Sequence, residues 1–381
     1  MDFSLTEEQM MLRDTIRNFS EKEIGPRVRE MDEKGELDSE VVKKLGEMGL
    51  LGILFPPEYN GAGYSYIDYV IILEELSKVD ASVGLTVAAH NSLCANHIYQ
   101  FGNETQKKKY LSRLAVGETL GAWGLTEPMA GSDVASIRTS AEKKGDYYIL
   151  NGNKVFCTNG SVSDIYVVIA VTDKTKGRKG ISSFILEKGM EGFKIGKKEN
   201  KLGVRASDTA ELIFEDVKVP KENLLGEEGR GFYDVMSVLD GGRISIAAFS
   251  LGIAAASLEA SMKYAKERIQ FGEPISNFQA IQWMIVDMAT ELDAARLLTY
   301  KSAYIKDLGK EPIKESSMAK YFAGELAVKA SSLAVQIYGG YGFTKEFPVE
   351  KYYRDSKLCT IGEGTTEIQK LIIARQLLSE K

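Results

Sequence analysis

Glu363 stands between two glycines in Ile361-Gly362-Glu363-Gly364-Thr365-Thr366-Glu367-Ile368-Gln369, a polar turn between hydrophobically patterned segments. Glycine permits backbone angles and close approaches that a side chain forbids, so Gly-Glu-Gly presents a carboxylate from a tight turn instead of a helix face. That suits a general base aimed at one carbon atom, although the tripeptide by itself reads first as a polar connection between helices. Arg268, in Glu267-Arg268-Ile269-Gln270-Phe271-Gly272, carries fixed donors that suit a pyrophosphate, or an ion pair with Glu267 or Glu273. Asp240 and Arg243, three apart, share one face of a helix and could serve a ligand or each other. His90 and His97 are the only histidines, and no Cys-x-x-Cys or His-x-x-x-His spacing occurs, so no transition-metal site is expected. Cys94, Cys157 and Cys359 are odd in number and far apart, which fits free thiols in a reducing cytoplasm better than a disulfide framework.

The elements that must position these groups follow from composition and pattern. A chain of 381 residues, 44% hydrophobic and 27% charged, suffices for two or three domains around a large core. Its net charge of −6 is mild and its basic residues are dispersed, which disfavours nucleic acid and anionic membranes as partners. No apolar run reads as long enough to span a bilayer. The start, Met1-Asp2-Phe3-Ser4-Leu5, reads as folded chain and not as a targeting peptide.

The expected fold class is α+β, mostly α. Residues 1–120 read as an N-terminal helical domain, opened by a capping box from Thr6 and Gln9 and interrupted by a turn over 55–63. Residues 121–230 read as a middle, β-barrel-like domain of short β-branched and aromatic runs, with Asn151-Gly152 and the 177–180 stretch as hairpin-type connectors. Residues 231–381 read as a C-terminal four-helix bundle, with helical patterns near 231–267, 278–307, 314–339 and 349–378, the last broken at the Glu363 turn.

Further blocks appear in a fixed order: Trp123-Gly124-Leu125-Thr126-Glu127-Pro128 with Gly131-Ser132-Asp133, then Phe156-Cys157-Thr158-Asn159-Gly160, then Arg268 to Gly272, then Gln336-Ile337-Tyr338-Gly339-Gly340-Tyr341-Gly342. Together with the Glu363 turn they closely resemble the acyl-CoA dehydrogenase family of flavoproteins, over essentially the whole chain. Leu239-Asp240-Gly241-Gly242-Arg243 and Ser92-Leu93-Cys94-Ala95-Asn96 look most like its short-chain, butyryl-CoA-type members. The chemistry agrees. A hydride leaving a β-carbon needs an organic two-electron acceptor, and the chain lacks the Gly-x-Gly-x-x-Gly and Walker-type loops of nicotinamide enzymes and nucleotide hydrolases.

The resemblance implies FAD, contacted by Trp123, Leu125, Thr126 and Ser132 on one segment, Phe156 and Thr158 on another, and Thr365 and Glu367 beyond the turn. Phe271, Phe278 and Gln279 would also contact FAD, while Arg268, Gln336 and Gly340 would reach the flavin of a neighbouring subunit, within a homotetramer built as a dimer of dimers. Acyl-CoA would meet Ser132, Asp240, Arg243 and Gly364, and electrons would leave through electron-transfer flavoprotein. Glu363 would take the α-proton while flavin N5 takes the β-hydride, and the Glu363 N–H and a ribityl hydroxyl would stabilise the thioester oxygen. Burial beside an apolar acyl chain should raise the Glu363 pKa toward neutrality.

Plainer readings stand beside these: strand interiors with ordinary threonines around Thr126 and Thr158, a solvated helix position for Gln336, and a helix terminator in Gly339-Gly340. Gly241 and Gly242 occupy the family's second location for the base, and neither can act as an acid or base. Gly362 stands where many relatives have tyrosine, which leaves room over the reacting end of the pocket. Asn91 and Ser92, in the pocket segment, add no second carboxylate. Dehydrogenation of branched or cyclic acyl groups, an acyl-CoA oxidase, and a silent flavin- or CoA-binding scaffold are the alternatives.

Overall fold

Thr6 starts the first helix, Glu7–Phe19, through the reciprocal bonds of a capping box: Gln9 N–H donates to Thr6 Oγ1 at 3.2 Å and Thr6 N–H to Gln9 Oε1 at 3.1 Å. The computed structural model describes residues 4–379, and within it the chain runs from helices to strands to helices. Ser65 caps Tyr66–Val79 and Asp80 caps Ala81–Ala89, two helices buried along most of their length. Burial extends to Glu74 and Glu75, whose charges are answered by Arg296 at 2.6 Å and Arg17 at 2.8 Å. The next turn, His90–Ala95, is π-helical, a widened geometry often found where a helix borders a functional site.

Strands β1 (Leu120–Gly124), β2 (Ser140–Lys144), β3 (Tyr147–Thr158), β4 (Ser163–Val171), β5 (Ile181–Glu187), β6 (Phe193–Lys198), β7 (Thr209–Pro220) and β8 (Leu224–Leu225) form the middle region. Their order is β6-β7-β3-β2-β4-β5-β8, with β1 parallel to β4. The β2–β4 link is a single pair, Ser140 with Val171, so the arrangement is two half-sheets hinged at one point.

One expected connector moves. Asn151-Gly152 lies inside β3, where the register to β7 shifts between Leu150 and Gly152, and the β2–β3 turn falls at Gly145 with φ +62°. Gly152 is needed for space and backbone freedom at that bulge: its φ is +140°, and a Cβ would sit 2.7 Å from Thr139 Oγ1. The 177–180 stretch does join an antiparallel pair, β4 and β5.

The last region packs Gly231–Glu267, Gln279–Asp307, Ile313–Tyr338 and Thr366–Ser379, with the short Val349–Ser356 against them. The fourth pattern is therefore two helices separated by the Glu363 turn. Gly231–Glu267 is long and apolar enough to cross a membrane, contrary to the expectation that no run reaches that length; nearly all of its apolar window is buried inside the fold, as in a core helix. It crosses Tyr66–Val79 closely at Gly252, where a Cβ would lie 2.6 Å from Glu74 O. A buried charge cluster joins the three regions: Lys351 contacts Asp80 at 3.2 Å and Asp355 at 2.6 Å, and Asp355 accepts from Val204 N–H.

Candidate active site

The chain after the Lys357–Thr360 turn reverses direction through Glu363, whose φ of +52° is left-handed, and Gly364, at +93°. A non-glycine residue there costs about 1 kcal/mol or more, so the surroundings must hold it. Gln369 Nε2 donates to the carbonyls of Glu363 at 3.3 Å and Gly364 at 3.1 Å, and Lys320 Nζ donates to the Gly364 carbonyl at 2.6 Å. Thr365 accepts from Ile368 N–H at the start of the last helix.

The turn's carbonyls are thus tied while the Glu363 carboxylate is left free. The residue is half-buried, but its Oε2 is fully buried and has no hydrogen-bond partner among the described residues. Burial raises the carboxyl to about 7, against the pull of Lys320 and Arg243. It lies over the Gly231–Glu267 helix at Gly242, where a Cβ would overlap Oε2 and stand 3.1 Å from Cδ and 3.4 Å from Leu93 Cδ2. Gly241 faces Tyr66 and Asn96, so the glycine pair opens space between the helix, the turn and the π-helical segment.

Asp240 and Arg243 form a buried ion pair, the reading in which they serve each other. Arg243 Nε remains buried and unpartnered among the described residues. Asn91 is satisfied structurally, bridging Val87 and Leu50 through Nδ2 and accepting from Ile53 N–H.

A second grouping gathers Trp123, Leu125, Thr126, Phe156 and Thr158. Val155 N–H donates to Thr126 O at 2.8 Å, which lays the two segments side by side. Beneath them Lys154, fully buried, donates to Leu125 O at 3.0 Å and to Glu127 Oε1 at 2.7 Å, while Glu127 accepts from the N–H groups of Arg138 and Thr139. A bulge in β3 between Lys154 and Cys157 turns Phe156 outward at φ +58°, 64% exposed. An aromatic ring held in a strained conformation and left uncovered fits a face built for a planar ligand. Trp123 donates from Nε1 to His97 Nδ1 at 3.0 Å, which fixes the indole and the histidine tautomer. Ser132 is exposed in the following loop.

The third grouping lies in a cleft of about 560 Å³ lined by Arg268, Phe271, Phe278, Gly340 and Tyr341, among others, and by no residue of the other two groupings. Phe271 is 96% exposed. Arg268 stands over the Tyr341 ring at 5.4 Å and makes no ion pair among the described residues, so the pairing with Glu267 or Glu273 does not form. Gln336, Gln279 and Glu367 are exposed. A larger cavity, about 890 Å³ between the Ser39–Glu47 helix and the β1–β4 end, contains none of the expected site residues.

Sequence reasoning missed Lys320, the Lys154–Glu127 clamp and the His97–Trp123 bond. Lys320 had a readable signal: it falls on the small-residue stripe Ser316, Ala319, Ala323, Ala327, where a charge must be explained.

Comparison with known proteins gives one answer. The family models for the acyl-CoA dehydrogenase N-terminal, middle and C-terminal domains match residues 6–118, 122–217 and 229–378. The short-chain specific acyl-CoA dehydrogenase of Clostridium acetobutylicum is 50% identical over 377 residues, 99% of this chain and 100% of that one. The solved butyryl-CoA dehydrogenase from Megasphaera elsdenii superposes with a TM-score of 0.97 at 47% identity, covering 99% of this chain and 100% of that one. A chain from a structure described as the electron transferring flavoprotein of Acidaminococcus fermentans superposes with a TM-score of 0.98 at 52% identity, each chain covered completely. With all three family domains matched in order and half its residues shared with a full-length relative, this chain belongs to the acyl-CoA dehydrogenase family.

Proposed function

We propose that this protein is an FAD-dependent dehydrogenase that converts a short-chain acyl-CoA into the trans-2-enoyl-CoA, with Glu363 as the base. The observation that carries the reading is the Glu363 carboxylate: buried, without a hydrogen-bond partner at Oε2, and raised to about 7, where a general base works best. The carboxylate removes the C2 proton of the thioester, the C2–H electron pair becomes the C2–C3 double bond, and the C3 hydrogen departs as hydride. FAD, when bound, supplies the acceptor for that hydride. The residues present fit the group: Trp123, Leu125, Thr126, Ser132, Phe156 and Thr158 would hold its ring system, with Thr365 and Glu367 beyond the turn.

The cleft around Arg268, separate from the chain's own Glu363, would hold part of a neighbouring subunit's cofactor, together with Phe278, Gln279, Gln336 and Gly340. That division makes a dimer the smallest complete unit, and a homotetramer built as a dimer of dimers is the proposed assembly. Ser132, Asp240, Arg243 and Gly364 are the proposed CoA contacts, electron-transfer flavoprotein the proposed electron acceptor, and the cytoplasm the proposed location. The butyryl-CoA and short-chain relatives favour a short, straight acyl group over a branched or cyclic one. Space left by Gly362, whose nearest neighbour for a Cβ is Leu358 at 3.4 Å, keeps wider acyl groups in the comparison.

The test is Glu363→Gln. The variant should remain yellow and bind butyryl-CoA, while anaerobic bleaching slows by at least about 10²-fold. Rapid bleaching by the variant would remove Glu363 from the role.

A further inference from the structure

Two unmatched groups lie close together beneath the Glu363 turn. One is Glu363 Oε2, buried and without a hydrogen bond; the other is Lys320, fully buried and without an ion pair among the described residues. A buried ammonium is ordinarily paired. Lys320 instead donates at 2.6 Å to the Gly364 carbonyl, the residue after Glu363.

The other charges facing Glu363 do not fill the gap. On the Gly231–Glu267 helix, Arg243 is already matched by Asp240. From Tyr66–Val79 comes Tyr69, whose phenol burial keeps neutral. Cys359 lies in the preceding turn with its thiol pushed up to about 12 by burial, and Glu325, on the Lys320 helix, accepts from Thr366 at 2.7 Å. Lys320 is therefore the cation in this neighbourhood whose charge no partner cancels.

We propose that Lys320 is a positioning and charge-balancing residue for Glu363: it fixes the turn through the Gly364 carbonyl and places a positive charge beside the neighbouring carboxylate, favouring its anionic form, without hydrogen-bonding to it. The separation has a chemical consequence. A direct Lys–Glu bond would occupy the lone pairs that must take a proton, whereas a cation bonded one residue away stabilises the anion and leaves both oxygens free. The balance of burial and charge agrees, since burial lowers Lys320 to about 8 while Cys359 and then Glu363, itself near 7, pull it back up. The inference rests on the reading of Glu363 as the base.

The experiment follows the carbonyl stretch of the protonated Glu363 carboxyl by infrared difference spectroscopy against pH, in the holoenzyme without substrate. Glu363→Gln identifies the band by removing it, and anaerobic bleaching is recorded on the same samples. The wild-type midpoint is expected near 7. Lys320→Gln keeps a donor for Gly364 and loses the charge, and should move the midpoint up by about one pH unit, with Lys320→Arg restoring it. A midpoint unmoved in Lys320→Gln, where Glu363→Gln has abolished both band and bleaching, overturns the inference and leaves the base assignment standing. Bleaching that survives in Glu363→Gln instead overturns the reading beneath it. Should Lys320→Gln not fold, Lys320→Arg carries the test alone: its permanent charge must hold the midpoint at or below the wild-type value, and a rise of one unit refutes the proposal.

Discussion

Replacing Glu363 by glutamine should remove a defined pH dependence from the stability of the fold. The Glu363 carboxyl titrates at about 7 in the folded chain against 4.5 for an ordinary glutamate. The difference, about 2.5 units at 1.36 kcal/mol per unit, is about 3 kcal/mol, and partial exposure of the residue trims it to about 2 kcal/mol. Because the folded pKa is the raised one, the folded chain keeps a proton that the unfolded chain releases. The contribution to stability is full below about pH 4.5 and is lost as the pH climbs through 7. Unfolding by denaturant, compared between wild type and Glu363→Gln at equal chain and FAD concentrations from pH 5 to 7.5, measures it directly. Lys320, at about 8 and held up in part by Glu363, titrates close to this range, so the same pair is also compared in a Lys320→Gln background. Wild type should lose about 1.5 kcal/mol relative to the variant across that range, which covers most but not all of the window, while any fixed offset from the glutamine amide stays constant. A gap that does not change with pH would show the carboxyl to be solvated in the folded protein, and the argument for a tuned base would fail with it.

Two further substitutions test the packing around the site. Gly242→Ala puts a methyl where Glu363 Oε2 lies, so it should cost about 1 to 3 kcal/mol in thermal unfolding and slow bleaching, and Glu363→Ala in the same chain should recover much of the stability. Lys154→Met strips the cation from buried Glu127 and should destabilise by about 3 kcal/mol and lower the FAD retained on gel filtration, whereas Lys154→Met with Glu127→Gln should regain part of both.

The helical regions were legible because their signals are local. Thr6 and Gln9 announce a capped start, and the 231–267 pattern matches the helix Gly231–Glu267 end to end. Asn151-Gly152 misled because the pair also suits a bulge, and only Thr139 packed against Gly152 decides between the two. Glu363 as the candidate base could be read from its glycines and its motif company, but the contact beneath it could not: Lys320 is 43 positions away and reaches the turn only because Ile313–Tyr338 packs beside it. The same holds for the His97–Trp123 bond, which joins a helix to β1.

Gly242 shows how far a sequence reading can be right and still incomplete. In the sequence, Gly241-Gly242 signifies only that neither position can act as an acid or base. In the fold, Gly242 has a positive task, because the Glu363 carboxylate occupies the volume that a side chain there would need. Two acids could not share that volume without one being displaced or neutralised, since like charges at contact cannot both ionise. A carboxylate on the turn and a glycine on the helix are therefore one structural choice written at two positions, and moving the carboxylate would require changing both: an acid introduced at 242 should find its space only when 363 has become small.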